Sequence, residues 1–493
     1  MIMTNEEIVK LGAVECKKAL EEKKFSAVEN VKAFQERIEK SDLNAFITTT
    51  FDYALERAKK VDAGEIKGRL AGVVFGVKDV FCTKGIRTTC GSKMLENFVP
   101  DYNATVWERL ENEGAIIIGK NNMDEFSMGS SGGTSHFGGA INPYKDKRNP
   151  DKKLIPGGSS SGSASAVAGD LCNISIGGDT GGSVRQPACL CNIVGVRPTY
   201  GRCSRNGLIS YASSLDQPGV LAKNVDDSAL ILDIMSGDDR NDSTMFREPS
   251  MNNYEKLKDI NIEKDNLNGL VVGIPVECKS DKTLKSINDY WDKTAKFLES
   301  KGATIKEISI ENMDKAVEVY YTISTAEAYS NLARFDGVRY GYRSKNSQEL
   351  SDLYSNSKFE GFGEEVKRRI LTGAYVISAD HYEESYIRAM KVRNVIYQNF
   401  KKAFDSCNIL LMPVSPCVAF GLEDKLDPIS MYYCDVFTIP TAIAGLGGIS
   451  VPVGFDNESG LPVGMQLVPK WKDEFTMFKV AKFVECGVKN HEI

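Results

Sequence analysis

Gly178-Asp179-Thr180-Gly181-Gly182-Ser183-Val184-Arg185-Gln186-Pro187 decides how this chain is read. It follows a short apolar run, residues 173–177, that has the character of a buried strand, so its glycines fall where strand gives way to turn. Glycine lets a backbone approach a bound group closely and take φ > 0, and successive N–H groups of such a turn converge on one anion. A serine at the end of the turn faces the same group. Thr180, Gly181 and Gly182 are therefore candidate oxyanion donors and Ser183 a candidate nucleophile. Taken alone, the fragment reads more readily as a tight Gly-Gly turn with an incidental serine.

Two upstream stretches change that balance. Gly72-Val73-Val74-Phe75-Gly76-Val77-Lys78-Asp79 places a lysine on an apolar strand. Burial disfavours an ammonium and brings its pKa down from about 10.4 toward neutrality, which makes Lys78 a candidate base. Asp79 comes next, but side chains alternate across a strand, so it is expected to face the other way. The plainer alternative is a lysine snorkelling at a strand end or paired with a carboxylate. Pro156-Gly157-Gly158-Ser159-Ser160-Ser161-Gly162-Ser163 is the second stretch. Ser159 there is either a proton relay or part of a helix N-cap or phosphate cradle, because a run of small residues at 164–168 follows. The lysine and spacing of a P-loop are absent, which argues against nucleotide binding by this chain.

Composition narrows the chemistry. With 42% apolar and 26% charged residues, the 493-residue chain has the balance of an ordinary globular protein with a large core. No apolar run approaches the about 18–20 residues of a membrane span, and residues 1–7 resemble neither a signal nor a transit peptide, so a cytoplasmic protein is expected. A net charge of −6 is unlike a chain that grips nucleic acid by itself. The twelve scattered cysteines read as reduced thiols, and with no C-x-x-C pair a metal site is not expected. Only three histidines occur, His136, His381 and His491, none in a catalytic frame, so a lysine is the better candidate for a general base.

Helical periodicity covers residues 5–40, and strand-like runs then alternate with helix-like stretches to the C-terminus. This predicts an α/β protein: a large mixed, mostly parallel twisted sheet covered by helices on both faces. A single domain over 1–493 is expected, with an N-terminal helical segment near 5–60 and a helical insertion near 310–400. Residues 237–268 are polar and read as a surface excursion rather than a linker.

The two serine segments, with Ser159 and Ser183 24 positions apart and the lysine strand upstream, resemble the amidase signature family from Lys78 through Pro198. The resemblance implies amide hydrolysis in which Ser183 is acylated, Ser159 bridges after a cis peptide, and Lys78 is the ultimate base. Further stretches resemble the A subunits of glutamyl-tRNA(Gln) amidotransferases, so that the likeness runs over residues 5–485. They are Pro198-Thr199-Tyr200-Gly201-Arg202-Cys203-Ser204-Arg205-Asn206-Gly207-Leu208, Ala212-Ser213-Ser214-Leu215-Asp216-Gln217, Arg334-Phe335-Asp336-Gly337-Val338-Arg339-Tyr340-Gly341, and Gly361-Phe362-Gly363-Glu364-Glu365-Val366-Lys367-Arg368-Arg369-Ile370. This implies glutamine as substrate and companion B and C subunits in a heterotrimer. The tRNA would be held mainly by a partner, and the partner would use ATP and Mg to amidate Glu-tRNA(Gln), Asp-tRNA(Asn) or both. No cofactor is implied in this chain.

Free glutamine carries an α-carboxylate and an α-ammonium, so its pocket wants one cation and one anion. By position in the family pattern these are Arg369, or its neighbour Arg368, and Asp435, with Tyr320 on the wall and Gly129 and Ser131 on the substrate side. Each charged residue is otherwise an ordinary surface ion pair. Two departures from the pattern stand out. Ser130-Ser131-Gly132-Gly133-Thr134-Ser135 lacks the family's usual acidic residue, and Cys189-Leu190-Cys191 replaces a more usual Ala-Phe-Cys. Besides a glutaminase in such a complex, two alternatives stand: a free-standing amidase for another small amide, and an inactive assembly protein. The presence of all three relay residues counts against the latter.

Overall fold

Most of the apolar runs read as strands lie side by side in one eleven-stranded sheet of the computed structural model, which describes residues 3–424 and 427–493. The strands are β1 (Phe46–Thr49), β2 (Val74–Lys78), β3 (Ile116–Asn121), β4 (Ile174–Asp179), β5 (Val194–Arg197), β6 (Gln217–Ala222), β7 (Val271–Pro275), β8 (Thr304–Ile308), β9 (Ile409–Pro413), β10 (Gly448–Phe455) and β11 (Pro462–Pro469). Their order is β1-β3-β2-β4-β6-β5-β10-β11-β9-β7-β8.

The sheet is mixed, as expected, but not mostly parallel. Four pairings are parallel (β2 with β3 and β4, β7 with β8 and β9). Six are antiparallel. Alternating strand and helix signals report crossovers, and two features escape them. β6 runs antiparallel between β4 and β5, and β10 turns back directly into β11. Four strands carry weak signals. β6 opens with Gln217-Pro218-Gly219, residues that weaken a strand, and β5 is four residues long with a glycine. β1 and β8 are sheet edges, short in one case and charged in the other.

Helices pack on this sheet. Ser161–Ala168 lies against β2 and β4, Arg185–Leu190 against β5, Val225–Met235 against β6, and Glu474–Lys489 against β10 and β11. The N-terminal periodicity resolves into helices Asn5–Lys10, Ala13–Glu21 and Ala27–Glu39, the first and third opened by capping boxes at Thr4/Glu7 and Ser26/Glu29. Between residues 310 and 400, helix Ala316–Leu332 packs on Glu364–Val376 and Arg388–Ala403. The polar stretch after residue 237 is tied down: the Asp239 carboxylate accepts from Thr105 and Ser204, each at 2.6 Å. No helix among the described residues is long and apolar enough to cross a membrane, and no group of three or more metal-ligating side chains occurs among them.

The topology matters because β2 and β4 are parallel neighbours with Val77 opposite Ile176. Their carboxyl ends, Lys78 and Asp179, therefore emerge together, the place where open α/β sheets build sites. β6 begins at the same edge, with Gln217 opposite Asp179.

Candidate active site

Lys78 closes β2 with no exposed surface. Its Nζ donates to Ser159 Oγ at 2.7 Å and to the Gly178 carbonyl at 3.3 Å. Burial pushes its pKa down to about 7, against the opposing fields of Asp124, Asp179 and Asp216. Asp79 faces the other way, as strand alternation requires, and pairs there with Lys120 at 3.4 Å. Ser159 follows a cis Gly158–Ser159 peptide. The next residue, Ser160, donates its N–H to the carbonyl of Ser183 at 3.1 Å, so the two serine segments are joined by backbone. Ser183 keeps 8% of its surface exposed, whereas Lys78 and Ser159 have none.

The turn carrying Ser183 is fixed from both ends. Asp179 accepts from Arg185 Nε at 3.0 Å and Arg197 Nη1 at 3.1 Å. Burial would raise its pKa, but the two guanidinium groups overcome it and hold the carboxyl at about 2. Thr180 Oγ1 donates at 2.7 Å to Asp216, which also accepts from the backbone of Tyr211 and Ala212. Burial lifts the Asp216 carboxyl to about 6. Between these anchors the glycines allow close approach. A Cβ on Gly181 would stand 3.0 Å from the Tyr320 ring, and one on Gly182 would stand 2.1 Å from Thr438 Oγ1 and 3.2 Å from Asp435 Oδ1. If this turn receives an oxyanion, Gly182→Ala is expected to push it out of register and lower kcat about 10²-fold with the fold retained. Steady-state kinetics beside a thermal melt check this; an unchanged kcat would remove the turn from the site.

Arg369 is surrounded by aromatic rings, and its charge acts on the buried Asp435 carboxyl. The Arg369 guanidinium stands 5.2 Å from the Tyr321 ring and 5.4 Å from that of Tyr211. It donates to Glu365 and to Tyr211 Oη, both at 2.7 Å. Arg368 points outward, half exposed, and pairs with Glu365. Tyr321 stacks on Tyr432 at 3.8 Å, and Tyr320 meets Tyr321 edge-on. Asp435 is buried: Ser130 Oγ donates to its Oδ2, and its Oδ1 has no partner among the described residues. Burial raises its carboxyl to about 7, although Ser130, Arg185 and Arg369 all pull the other way.

The loop after residue 128 meets the relay through groups that sequence reasoning missed. Asp124 accepts from Gly132 N–H at 2.9 Å and from the Thr134 backbone and hydroxyl. Gly129 and Gly158 both pack so close to its carboxyl that a Cβ on either would collide. Gln186 accepts from Gly158 N–H at 2.9 Å and donates to the Ser130 carbonyl at 3.0 Å, bridging the two loops. Ser131, in contrast, turns its hydroxyl to Gly133 N–H; its neighbour Ser130 makes the contact to Asp435. The absent acidic residue of this loop leaves Gly132 at φ +82°, where a Cβ would stand 2.5 Å from Ser161 Cβ. Of the missed residues, Gln186 had a sequence signal: it stands in the same segment as Ser183.

The Amidase family model matches residues 29–477. The chain is 46% identical over 489 residues to the glutamyl-tRNA(Gln) amidotransferase A subunit of Wolbachia pipientis wMel, covering 98% of each chain. It is 45% identical over 472 residues to the corresponding protein of Ruthia magnifica subsp. Calyptogena magnifica, covering 95% of each. The crystal structure of the glutamyl-tRNA(Gln) amidotransferase A subunit from Thermotoga maritima is similar with a TM-score of 0.75 at 34% identity, over 98% of this chain and 94% of that one.

Proposed function

This chain belongs to the amidase signature family, and from that premise we propose that it hydrolyses glutamine to glutamate and ammonia as the A subunit of a glutamyl-tRNA(Gln) amidotransferase. One observation carries the choice of substrate. A buried carboxyl, Asp435, whose Oδ1 has no partner among the described residues, faces the Gly182 backbone beside Ser183 and feels the Arg369 guanidinium. A plain amide would leave that carboxyl unsatisfied, whereas an α-ammonium on Oδ1 restores its charged form and the α-carboxylate is drawn to Arg369.

The Lys78–Ser159 contact and the backbone link from Ser160 to Ser183 support the following steps. Neutral Lys78 takes a proton from Ser159 as Ser159 takes one from Ser183, and Ser183 Oγ attacks the side-chain carbonyl carbon of glutamine. The backbone N–H groups at Thr180, Gly181 and Gly182 receive the oxyanion. Collapse breaks the C–N bond; the proton returns through Ser159 to the leaving nitrogen, and ammonia departs. Water, deprotonated along the same relay, then cleaves the γ-glutamyl ester and frees glutamate and Ser183. No cofactor enters these steps. The ammonia passes to the companion B and C subunits, where ATP and Mg activate the tRNA-borne carboxylate. Gly129 and Ser131 frame the substrate side of the relay, and Tyr320 walls the pocket.

The test is ammonia release from glutamine by the purified chain, with and without its companions. Release that is selective for glutamine and rises with the companions supports the reading; equal turnover of many small amides by the chain alone means a free-standing amidase. Asp435→Asn is expected to raise KM for glutamine about 10–100-fold with a smaller change in kcat, the worth of one hydrogen bond to a charged group. An unchanged KM would detach Asp435 from the substrate.

A further inference from the structure

The residue before Asp435 is a cysteine, and its sulfur has a neighbour. Cys434 Sγ lies 4.0 Å from Cys417 Sγ. All twelve cysteines are free thiols, and only Cys417 and Cys486 are not fully buried. Cys417 sits in the loop after β9, its N–H donating to Ser415 Oγ at 3.4 Å. Cys434 follows helix Pro428–Tyr433, with its thiol 3.6 Å from the Ser430 carbonyl. The contact with Cys434 holds the Cys417 thiol below its ordinary range, and the same contact together with burial pushes Cys434 up. A partly exposed thiol thus faces a buried one across 4.0 Å, the arrangement of an attacking and a resolving cysteine.

We propose that Cys417 and Cys434 are a reversible oxidation site whose disulfide disables the Asp435 side of the pocket. The oxidant class is a peroxide. The Cys417 thiolate attacks one peroxide oxygen, the O–O bond breaks, and the second oxygen leaves as water, giving a sulfenic acid. Cys434 sulfur then displaces the sulfenic oxygen as a second water, and its thiol proton leaves with it. Two thiols lose two electrons and two protons to one hydrogen peroxide. Closing the sulfurs from 4.0 Å to about 2.05 Å draws Cys434 toward the β9 loop. Asp435 cannot follow freely, because its carbonyl is held by the N–H groups of Thr438 and Ile439. Its carboxyl turns away from Ser130 and Gly182 instead. Dithiol exchange reverses the change.

The pair itself stands on geometry; its effect on glutamine rests on the glutaminase reading, so the two are measured separately. The full chain is treated with hydrogen peroxide, free thiols are blocked, and peptides are mapped by mass. The expected result is a Cys417–Cys434 crosslink that forms before other oxidation and is reversed by dithiothreitol, with KM for glutamine raised about tenfold while it persists. Cys417→Ser is expected to keep the kinetics of the reduced chain and lose both the crosslink and the peroxide response. Oxidation of Cys486 with Cys417 and Cys434 left unlinked overturns the pair, and a mapped crosslink with unchanged KM overturns its control of the pocket. A reduced chain that releases no ammonia from glutamine counts against the glutaminase reading alone, since the mapped crosslink still decides the pair.

Discussion

A Ser183→Ala chain, assembled with its companions, is expected to lose glutamine-driven tRNA amidation by about 10⁴-fold or more, while added ammonia still supports it. The asymmetry comes from where Ser183 acts. Its Oγ is the only atom removed, and its backbone carbonyl continues to accept from Ser160, so the two serine loops stay joined. Arg185, Arg197 and Asp179 continue to brace the turn. The substitution therefore removes acyl-enzyme formation and leaves the surface offered to companions intact. Ammonia supplied from solution enters downstream of the missing step. Measuring amidation with each nitrogen source separates the roles: loss of both would make Ser183 a structural residue, and retention of glutamine-driven amidation would remove it as nucleophile.

How much of this was legible in the sequence depends on how local the cause is. The relay was legible through the family resemblance: read singly, Lys78 at a strand end, Ser159 before a small-residue helix and Ser183 in a glycine turn each favoured a plainer reading. That β2 and β4 are parallel neighbours, which sets Lys78 beside Gly178 and Ser159, is a long-range fact no single segment contains. The same holds for the groups that were missed. Asp124 matters because Gly129, Gly132, Thr134 and Gly158 fold around its carboxyl, and Asp216 because Thr180 reaches it across the turn. A lone aspartate among polar neighbours carries no signal of that kind. Arg368 and Arg369 show the limit from the other side. Adjacent residues on a helix face directions about 100° apart. Only packing against Tyr211 and Tyr321 tells which arginine turns inward. The family resemblance identified the segment; burial separates its two arginines.

The sheet repeats the lesson. Strongly apolar runs became strands where expected, whereas β6, opening on proline and glycine, was invisible locally and yet decides the antiparallel centre of the sheet. Its register sets Gln217 opposite Asp179 and leaves Asp216 at the site, so a weak local signal carries part of the oxyanion turn's support.

Lys78→Met is expected to cost about 10²–10⁴-fold in kcat, the usual worth of a general base, and to remove one of two titrations from the pH profile. In the proposed relay Lys78 acts only when neutral. Its pKa lies at about 7, so the active form is in excess above that pH and is lost as pH falls through it. In the proposed pocket Asp435 binds only when ionised, and with its carboxyl also at about 7 binding is lost in the same direction. For the parent chain, kcat/KM for glutamine should therefore rise steeply between about pH 6 and pH 8, with a slope above one on a logarithmic plot. Asp435→Asn removes one titration and should leave a slope of one, centred near neutrality and owed to Lys78. In Lys78→Met the residual rate should keep only the Asp435 titration. The order of the effects matters as much as their size. The amide at Asp435 changes mainly KM, because it binds, whereas methionine at Lys78 changes mainly kcat, because the proton of Ser183 then has no acceptor beyond Ser159. A Lys78→Met chain with an unaltered pH profile would show that the proton leaves by another route, and Asp124, packed against Gly158 beside the relay, would be the group to test in its place.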